Sequence, residues 1–106
     1  MAAETDIASQ KAIPFISLLK ENGVDVSEAY LFGSATRGEA GQESDIDVAI
    51  ISKDFDGIPY HDIRKISKYR RQVDLRLEIH TFALADLEAG PSLFLKKIKR
   101  EGIRLQ

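Results

Sequence analysis

The chain has 106 residues, a formal net charge of −2 at pH 7 and no cysteine. This length holds one modest hydrophobic core, so a single domain over residues 1–106 is expected. Without cysteine, disulfides and thiolate metal sites are excluded, and the acidic balance counts against a protein that binds nucleic acid. No apolar run reaches the roughly 18 residues of a membrane span, and the acidic N-terminus has no signal-peptide pattern. These features predict a cytoplasmic protein with no membrane partner.

The first half of the chain predicts a helix followed by two strands. Apolar residues at helical spacing indicate a helix from about Asp6 to Asn22. Pro14 lies inside this range and predicts either a later start, near Ile13, or a bend. The apolar run from Ala29 to Phe32 predicts a buried strand. The run from Asp45 to Ser52 is apolar or β-branched on both faces beyond its aspartates, which predicts a central strand.

The second half begins with a helix and a strand. Tyr60 to Arg71 predicts a helix with a basic outer face. A clean alternation follows and predicts the third strand. One face of this strand is apolar (Val73, Leu75, Leu77, Ile79), and the other is polar (Asp74, Arg76, Glu78, His80).

The end of the chain predicts short helices and an edge strand. A helical turn is expected around 85–88, and an amphipathic helix over 91–100, with Leu93, Phe94 and Ile98 directed inward. Residues 103–105 could add a short edge strand. The predicted fold class is α+β (mixed α/β), with helices packed against a mixed sheet.

The motif with the clearest chemical meaning lies between the first two strands. Gly33-Ser34 is followed, after ten residues, by Asp45-Ile46-Asp47. Side chains alternate along a strand, so Asp45 and Asp47 are predicted to project to the same side. Two neighbouring carboxylates need a compensating charge, and magnesium takes its oxygen ligands from one or two carboxylates plus substrate phosphates. A glycine turn leading into a helical turn is typical of an anion-binding backbone. The pattern therefore indicates phosphate chemistry.

This Gly33-Ser34 to Asp45-Ile46-Asp47 spacing resembles the signature of the polymerase-beta-like nucleotidyltransferase superfamily. The short length resembles the minimal nucleotidyltransferase (MNT) branch of that superfamily. The resemblance implies a small polymerase-beta-like nucleotidyltransferase domain. It also implies an enzyme that transfers a nucleoside monophosphate from a nucleoside triphosphate, with ATP expected, to a hydroxyl acceptor.

The resemblance implies the following site residues. Two Mg²⁺ ions would be held by Asp45, Asp47 and a third acid, and the triphosphate would lie on Gly33 and Ser34. Arg37 is a predicted triphosphate contact, because guanidinium binds phosphate oxygens bidentately; a solvated surface arginine is the alternative.

A third carboxylate is expected from the third strand. Its segment Val73–Leu77 resembles the superfamily's third-acid segment, which places the role on Asp74. There are two alternatives to a catalytic Asp74. The third acid is Glu78, which lies on the same predicted face, or the polar face of this strand is simply solvated and its charged residues pair with their neighbours. His80 also lies on this face and is expected to be an ordinary hydrogen-bonded histidine.

The sequence does not specify the acceptor. Minimal nucleotidyltransferases are often paired with a small helical HEPN-type protein as the antitoxin of a toxin–antitoxin pair, so the resemblance implies such a partner, or else self-association. A non-catalytic nucleotide-binding or partner-capping module is the alternative function, and a phosphate-binding regulatory domain is a third.

Overall fold

The computed structural model describes residues 3–33 and 45–106. Helices and strands alternate irregularly along this part of the chain, which confirms the α+β class. The helices are α1 (Ala3–Glu21), α2 (Pro59–Val73), α3 (Leu84–Ala89) and α4 (Leu93–Glu101). The strands are β1 (Glu28–Phe32), β2 (Ile46–Ser52), β3 (Leu77–Ala83) and β4 (Ile103–Arg104).

The four strands form one mixed sheet in the order β3-β2-β1-β4. β1 runs antiparallel to both β2 and β4. β2 and β3 are parallel, and α2 makes the crossover that a parallel pair requires. The mixed sheet, the central position of β2 and the short edge strand at 103–104 are all as the sequence predicts.

Both faces of β2 are buried, but by different helices. Ile46, Val48 and Ile50 belong to a core that also contains Ala12, Phe15 and Leu19 of α1 and Ile66 of α2. Ala49 and Ile51 belong to a second, smaller core with Leu95 and Ile98 of α4. We call the two sides of the sheet the α1/α2 face and the α4 face.

Helix α1 runs through Pro14 without interruption, so the prediction of a start near Ile13 is wrong. Proline removes one backbone hydrogen bond from a helix interior. Pro14 lies on the exposed side of α1, whereas its neighbours Ala12 and Phe15 are fully buried. We attribute the continuity of the helix to this burial, which favours helix on both sides of the proline. Among the helices in the described ranges, none combines the length and the apolarity that a membrane crossing requires.

The third strand begins four residues later than the alternation predicts. α2 continues through Val73, and the Asp74 amide donates to Arg70 O at 3.0 Å as the helix ends. Val73 packs against the core from the last turn of this helix, while Leu75 is exposed. The predicted strand residues 73–76 are therefore a helix end and a turn, and only the alternation from Leu77 onward is that of a strand.

Helix α4 presents a different side to the sheet from the one predicted. Leu95 and Ile98 are buried, whereas Leu93 is 83% exposed and Phe94 49% exposed. Ser92 caps the helix, its Oγ accepting from the Leu95 amide at 3.1 Å. The prediction of an inward Ile98 is confirmed, and that of an inward Leu93 and Phe94 is wrong, because Leu95 is the residue that packs inward with Ile98.

Candidate active site

Two of the acidic residues singled out in the sequence, Asp47 and Glu78, lie side by side at the corner of the sheet where β2 begins. Phe32 of β1 pairs with Asp47 of β2, and Asp47 pairs in turn with Glu78 of β3. Residues paired in register project to the same face of a sheet. Phe32, Asp47 and Glu78 therefore form one row across three strands on the α4 face.

Asp47 is held from the β3 side by His80. Its Oδ1 lies 3.2 Å from His80 Nε2, and both side chains are about a quarter to a third exposed, at 26% and 31%. An ionised carboxylate can only accept a hydrogen bond, so Nε2 is the atom that bears the hydrogen. The imidazole in turn meets the edge of the Phe32 ring, with the ring centroids 4.9 Å apart. His80 thus fixes one oxygen of Asp47.

The other oxygen of Asp47 faces the backbone of Gly33. Gly33 has φ +79°, in the left-handed region that favours glycine. A Cβ at this position would collide with Asp47 Oδ2 and lie 3.3 Å from its Cγ. The chain leaving β1 therefore requires glycine for two independent reasons, its backbone conformation and the close approach of a carboxylate.

Asp45 immediately precedes β2 and is exposed. Strand alternation predicts that its side chain projects to the same side as that of Asp47. Ser34 and Arg37, the two other predicted phosphate contacts, lie outside the described residues.

Asp74 does not lie in the row with Asp47. It is the C-cap of α2, and its carboxylate accepts from the Arg76 amide at 2.8 Å and from Arg76 Nε at 3.3 Å. Lys11 of α1 lies 3.7 Å from Asp74 Oδ2, on the α1/α2 side of the sheet. The hydrogen bond from the Arg76 amide, with the Arg76 and Lys11 charges, lowers the pKa of Asp74 although burial opposes this. The prediction that Asp74 shares a strand face with the aspartates is wrong, because residues 73–76 are not in a strand.

Glu78 is the residue that the structure brings beside Asp47 instead. Its side chain is exposed, and β3 is the parallel neighbour of β2, so the two carboxylates lie on adjacent strands of one face. The alternation of 77–80 already predicted that Glu78 and His80 share a face. His80 is hydrogen-bonded, as the sequence predicted, but its partner, Asp47, had no separate signal in the sequence.

The donor chemistry of this corner suits a hard divalent cation. In the described ranges, no three His, Asp or Glu side chains form a ready-made metal cluster. Magnesium does not need one, because it keeps several waters and takes one or two carboxylates together with substrate phosphates. Asp45, Asp47 and Glu78 offer carboxylate oxygens and no competing soft ligand, so they fit the ion.

Comparison with known proteins agrees with this geometry. The family model "Polymerase beta, Nucleotidyltransferase" matches residues 15–106. A crystal structure of a protein from Sulfolobus solfataricus, assigned as a nucleotidyltransferase, superposes with a TM-score of 0.68 over 95% of this chain and 81% of that chain. At 15% identity this likeness concerns the fold alone.

A second solved structure is similar at higher identity. A chain from a toxin–antitoxin structure with AMP-PNP superposes with a TM-score of 0.55 and 26% identity, covering 92% of this chain and 72% of that one. No curated protein matches the sequence.

Proposed function

Because the chain belongs to the polymerase beta nucleotidyltransferase family, we propose that it transfers a nucleoside monophosphate from a nucleoside triphosphate to a hydroxyl acceptor. ATP is the proposed donor and Mg²⁺ the proposed metal. The observation that carries this proposal is the pairing of Asp47 with Glu78 on adjacent parallel strands, directly beside the Gly33 turn. The similarity to a chain from a structure with AMP-PNP supports a triphosphate donor.

Asp45, Asp47 and Glu78 are the residues proposed to hold the metal. When bound, two Mg²⁺ ions would neutralise the charge that develops on the phosphate oxygens. The protein keeps Asp47 in place from both sides, through His80 Nε2 and the Gly33 backbone. Preorganised ligands of this kind reduce the reorganisation that the reaction requires. Gly33, Ser34 and Arg37 are proposed to contact the triphosphate.

The proposed transfer is an in-line displacement. The acceptor oxygen forms a bond to the α-phosphorus, and the bond from that phosphorus to the pyrophosphate oxygen breaks. The acceptor hydroxyl gives up its proton to the exposed carboxylate of Glu78, and pyrophosphate leaves with its electron pair. We propose Glu78 for this role in place of Asp74, whose carboxylate is occupied by Arg76 and Lys11.

The acceptor is proposed to be a hydroxyl on a protein partner. The 26% identical chain comes from a toxin–antitoxin structure, and the resemblance to minimal nucleotidyltransferases implies a small helical HEPN-type toxin. On this proposal the chain acts as a cytoplasmic antitoxin that modifies its toxin. Self-association is the alternative source of the acceptor surface.

Release of pyrophosphate from α-labelled ATP tests the proposal. The protein is incubated with ATP and Mg²⁺, with and without the protein encoded beside it, and label on protein is measured as well. Asp47→Asn should lower both signals by about 10²-fold or more, because one of the charges that stabilise the transition state is lost. The control is Glu88→Gln, which removes an exposed carboxylate on α3 and should leave both signals unchanged.

Two results would contradict transferase activity. One is wild-type protein that binds ATP with Mg²⁺ but releases no pyrophosphate with any acceptor, which would indicate the non-catalytic nucleotide-binding alternative. The other is equal pyrophosphate release by wild type and Asp47→Asn.

A further inference from the structure

We propose that a group of aromatic rings next to Asp47 binds the base of the nucleoside triphosphate; this rests on the proposed function and extends it. The group, which we call the aromatic cluster, comprises Phe32 on β1, His80 and Phe82 on β3, and Phe94 on α4. Phe32, His80 and Phe82 project from the α4 face, and Phe94 contacts all three. The cluster is therefore on the same side of the sheet as Asp47 and Glu78.

Phe94 is the centre of the cluster. Its ring centroid lies 5.8 Å from that of Phe32, 6.0 Å from that of His80 and 6.1 Å from that of Phe82. The interplanar angles are 77°, 69° and 55°, so none of the three rings stacks in parallel on Phe94. On the same face, β2 carries the small residue Ala49, which pairs with Tyr30 of β1 and with His80 of β3.

Phe94 is also the most exposed member of the cluster. It is 49% exposed, whereas Phe32, His80 and Phe82 are partly buried. Ser92 caps the helix that bears Phe94, and the neighbouring Leu95 is 2% exposed and packs on the sheet. Phe94 is not an isolated apolar residue but adjoins three further rings, and contiguous apolar surface of this kind is typical of a contact with a ligand or partner.

The cluster is continuous with the acidic corner. His80 contacts Asp47 through Nε2 at 3.2 Å and Phe94 through its ring, so a single side chain separates the exposed ring from the carboxylate proposed to hold the metal. A nucleotide whose phosphates lie at Asp47 therefore has an aromatic surface available beside it. Bases stack on aromatic side chains whatever their identity, because each base has a π-face. The ligand that this chemistry fits is a nucleobase, with purines favoured over pyrimidines by their larger ring area.

Titration calorimetry with two probes separates the base from the phosphates. AMP-PNP and inorganic tripolyphosphate, each with Mg²⁺, are titrated into wild-type protein, Phe94→Leu and Phe94→Trp. Phe94→Leu keeps an apolar side chain but removes the ring, so AMP-PNP should bind about tenfold more weakly while tripolyphosphate binding is unchanged. Phe94→Trp should restore AMP-PNP binding, because it supplies a larger ring. Leu75→Ala, at another exposed apolar residue, is the control and should change neither affinity.

The outcomes distinguish this inference from the function on which it rests. If wild type binds both probes and Phe94→Leu leaves the affinity for AMP-PNP unchanged, or weakens both probes equally, the base site is wrong and the transferase proposal stands. If Phe94→Leu affects only transfer to a protein acceptor, the ring serves that protein and the base site is again wrong. If wild type binds neither probe, the transferase proposal fails and the base site fails with it.

Discussion

Asp47 is the residue around which the acidic corner is arranged. His80 Nε2 holds its Oδ1 at 3.2 Å, and the Gly33 backbone lies against its Oδ2. The carboxylate is nevertheless 26% exposed, so a ligand can still reach it. Neighbours that fix a metal-binding carboxylate in this way are expected to raise the affinity of the site, because they orient the oxygens before the ion arrives.

The two candidate third acids are separated by matched substitutions. Glu78→Gln should reduce nucleotidyl transfer by about 10²-fold with little change in stability, because this carboxylate is exposed and lies beside Asp47. Asp74→Asn should leave the transfer rate within about twofold but lower the free energy of unfolding by about 1 kcal/mol, because a hydrogen-bonded, charge-paired carboxylate is lost. Transfer rates and urea unfolding of the two variants measure both effects. The reverse pattern would restore the role to Asp74.

The pKa of Asp74 makes a separate prediction about pH. The hydrogen bond from the Arg76 amide and the Arg76 and Lys11 charges hold this pKa below the ordinary value of 3.8. A lowered pKa in the folded state stabilises the protein above 3.8, and this stabilisation is lost as the pH falls through the folded-state value. The stability difference between wild type and Asp74→Asn should therefore be constant from pH 7 to about 5 and shrink below 3.8. Urea midpoints across this range check it, and a difference that grows on acidification would contradict it.

Among the strands, β1 ends at a glycine whose backbone and surroundings are both constrained. Gly33→Ala must adopt φ +79° and also displace the carboxylate of Asp47. Gly23→Ala is a matched control, because Gly23 has φ +82° but no atom within 4 Å of its added Cβ. Both variants should lose about 1–2 kcal/mol of stability through the left-handed backbone. Only Gly33→Ala should also reduce transfer, by more than tenfold.

Unfolding curves and pyrophosphate release of the two alanine variants make this comparison. Equal activity in Gly33→Ala and Gly23→Ala would show that the approach of Gly33 to Asp47 has no part in the reaction.

The sequence predicts most of these elements because their signals are local. The apolar run of β2, the Gly33 turn and the Asp45-Ile46-Asp47 spacing each depend on a few neighbouring residues. The start of β3 does not. Residues 73–80 alternate as a strand would, but the last turn of α2 keeps Val73 against the core, and this tertiary packing overrides the alternation. The same alternation placed Asp74 on the polar face of this strand, whereas the structure has it as the C-cap of α2.

The phase of α4 could not be predicted for a related reason. Leu93, Phe94, Leu95 and Ile98 are all apolar, so helical periodicity alone allows more than one inward side. The register of α4 on the sheet selects Leu95 and Ile98, and Phe94 remains at the surface beside Phe32 and His80.

In the molecule as a whole, the two faces of the sheet differ in how much of the hydrophobic core they carry. The α1/α2 face is covered by the larger core, which supplies most of the buried apolar surface. The α4 face is covered by a smaller core, and the row of Phe32, Asp47 and Glu78 lies on it. Stability thus rests mainly on one face, and the other is the face on which we propose the phosphate chemistry and the contact with a partner that brings the acceptor.

A crystal structure of the protein with Mg²⁺ and AMP-PNP would show the proposed site itself. We predict oxygen atoms of Asp45, Asp47 and Glu78 about 2.1 Å from the metal, the triphosphate at Gly33 and the base against Phe94. A metal ligated by Asp74, or a nucleotide bound away from the Gly33 turn, would contradict this prediction.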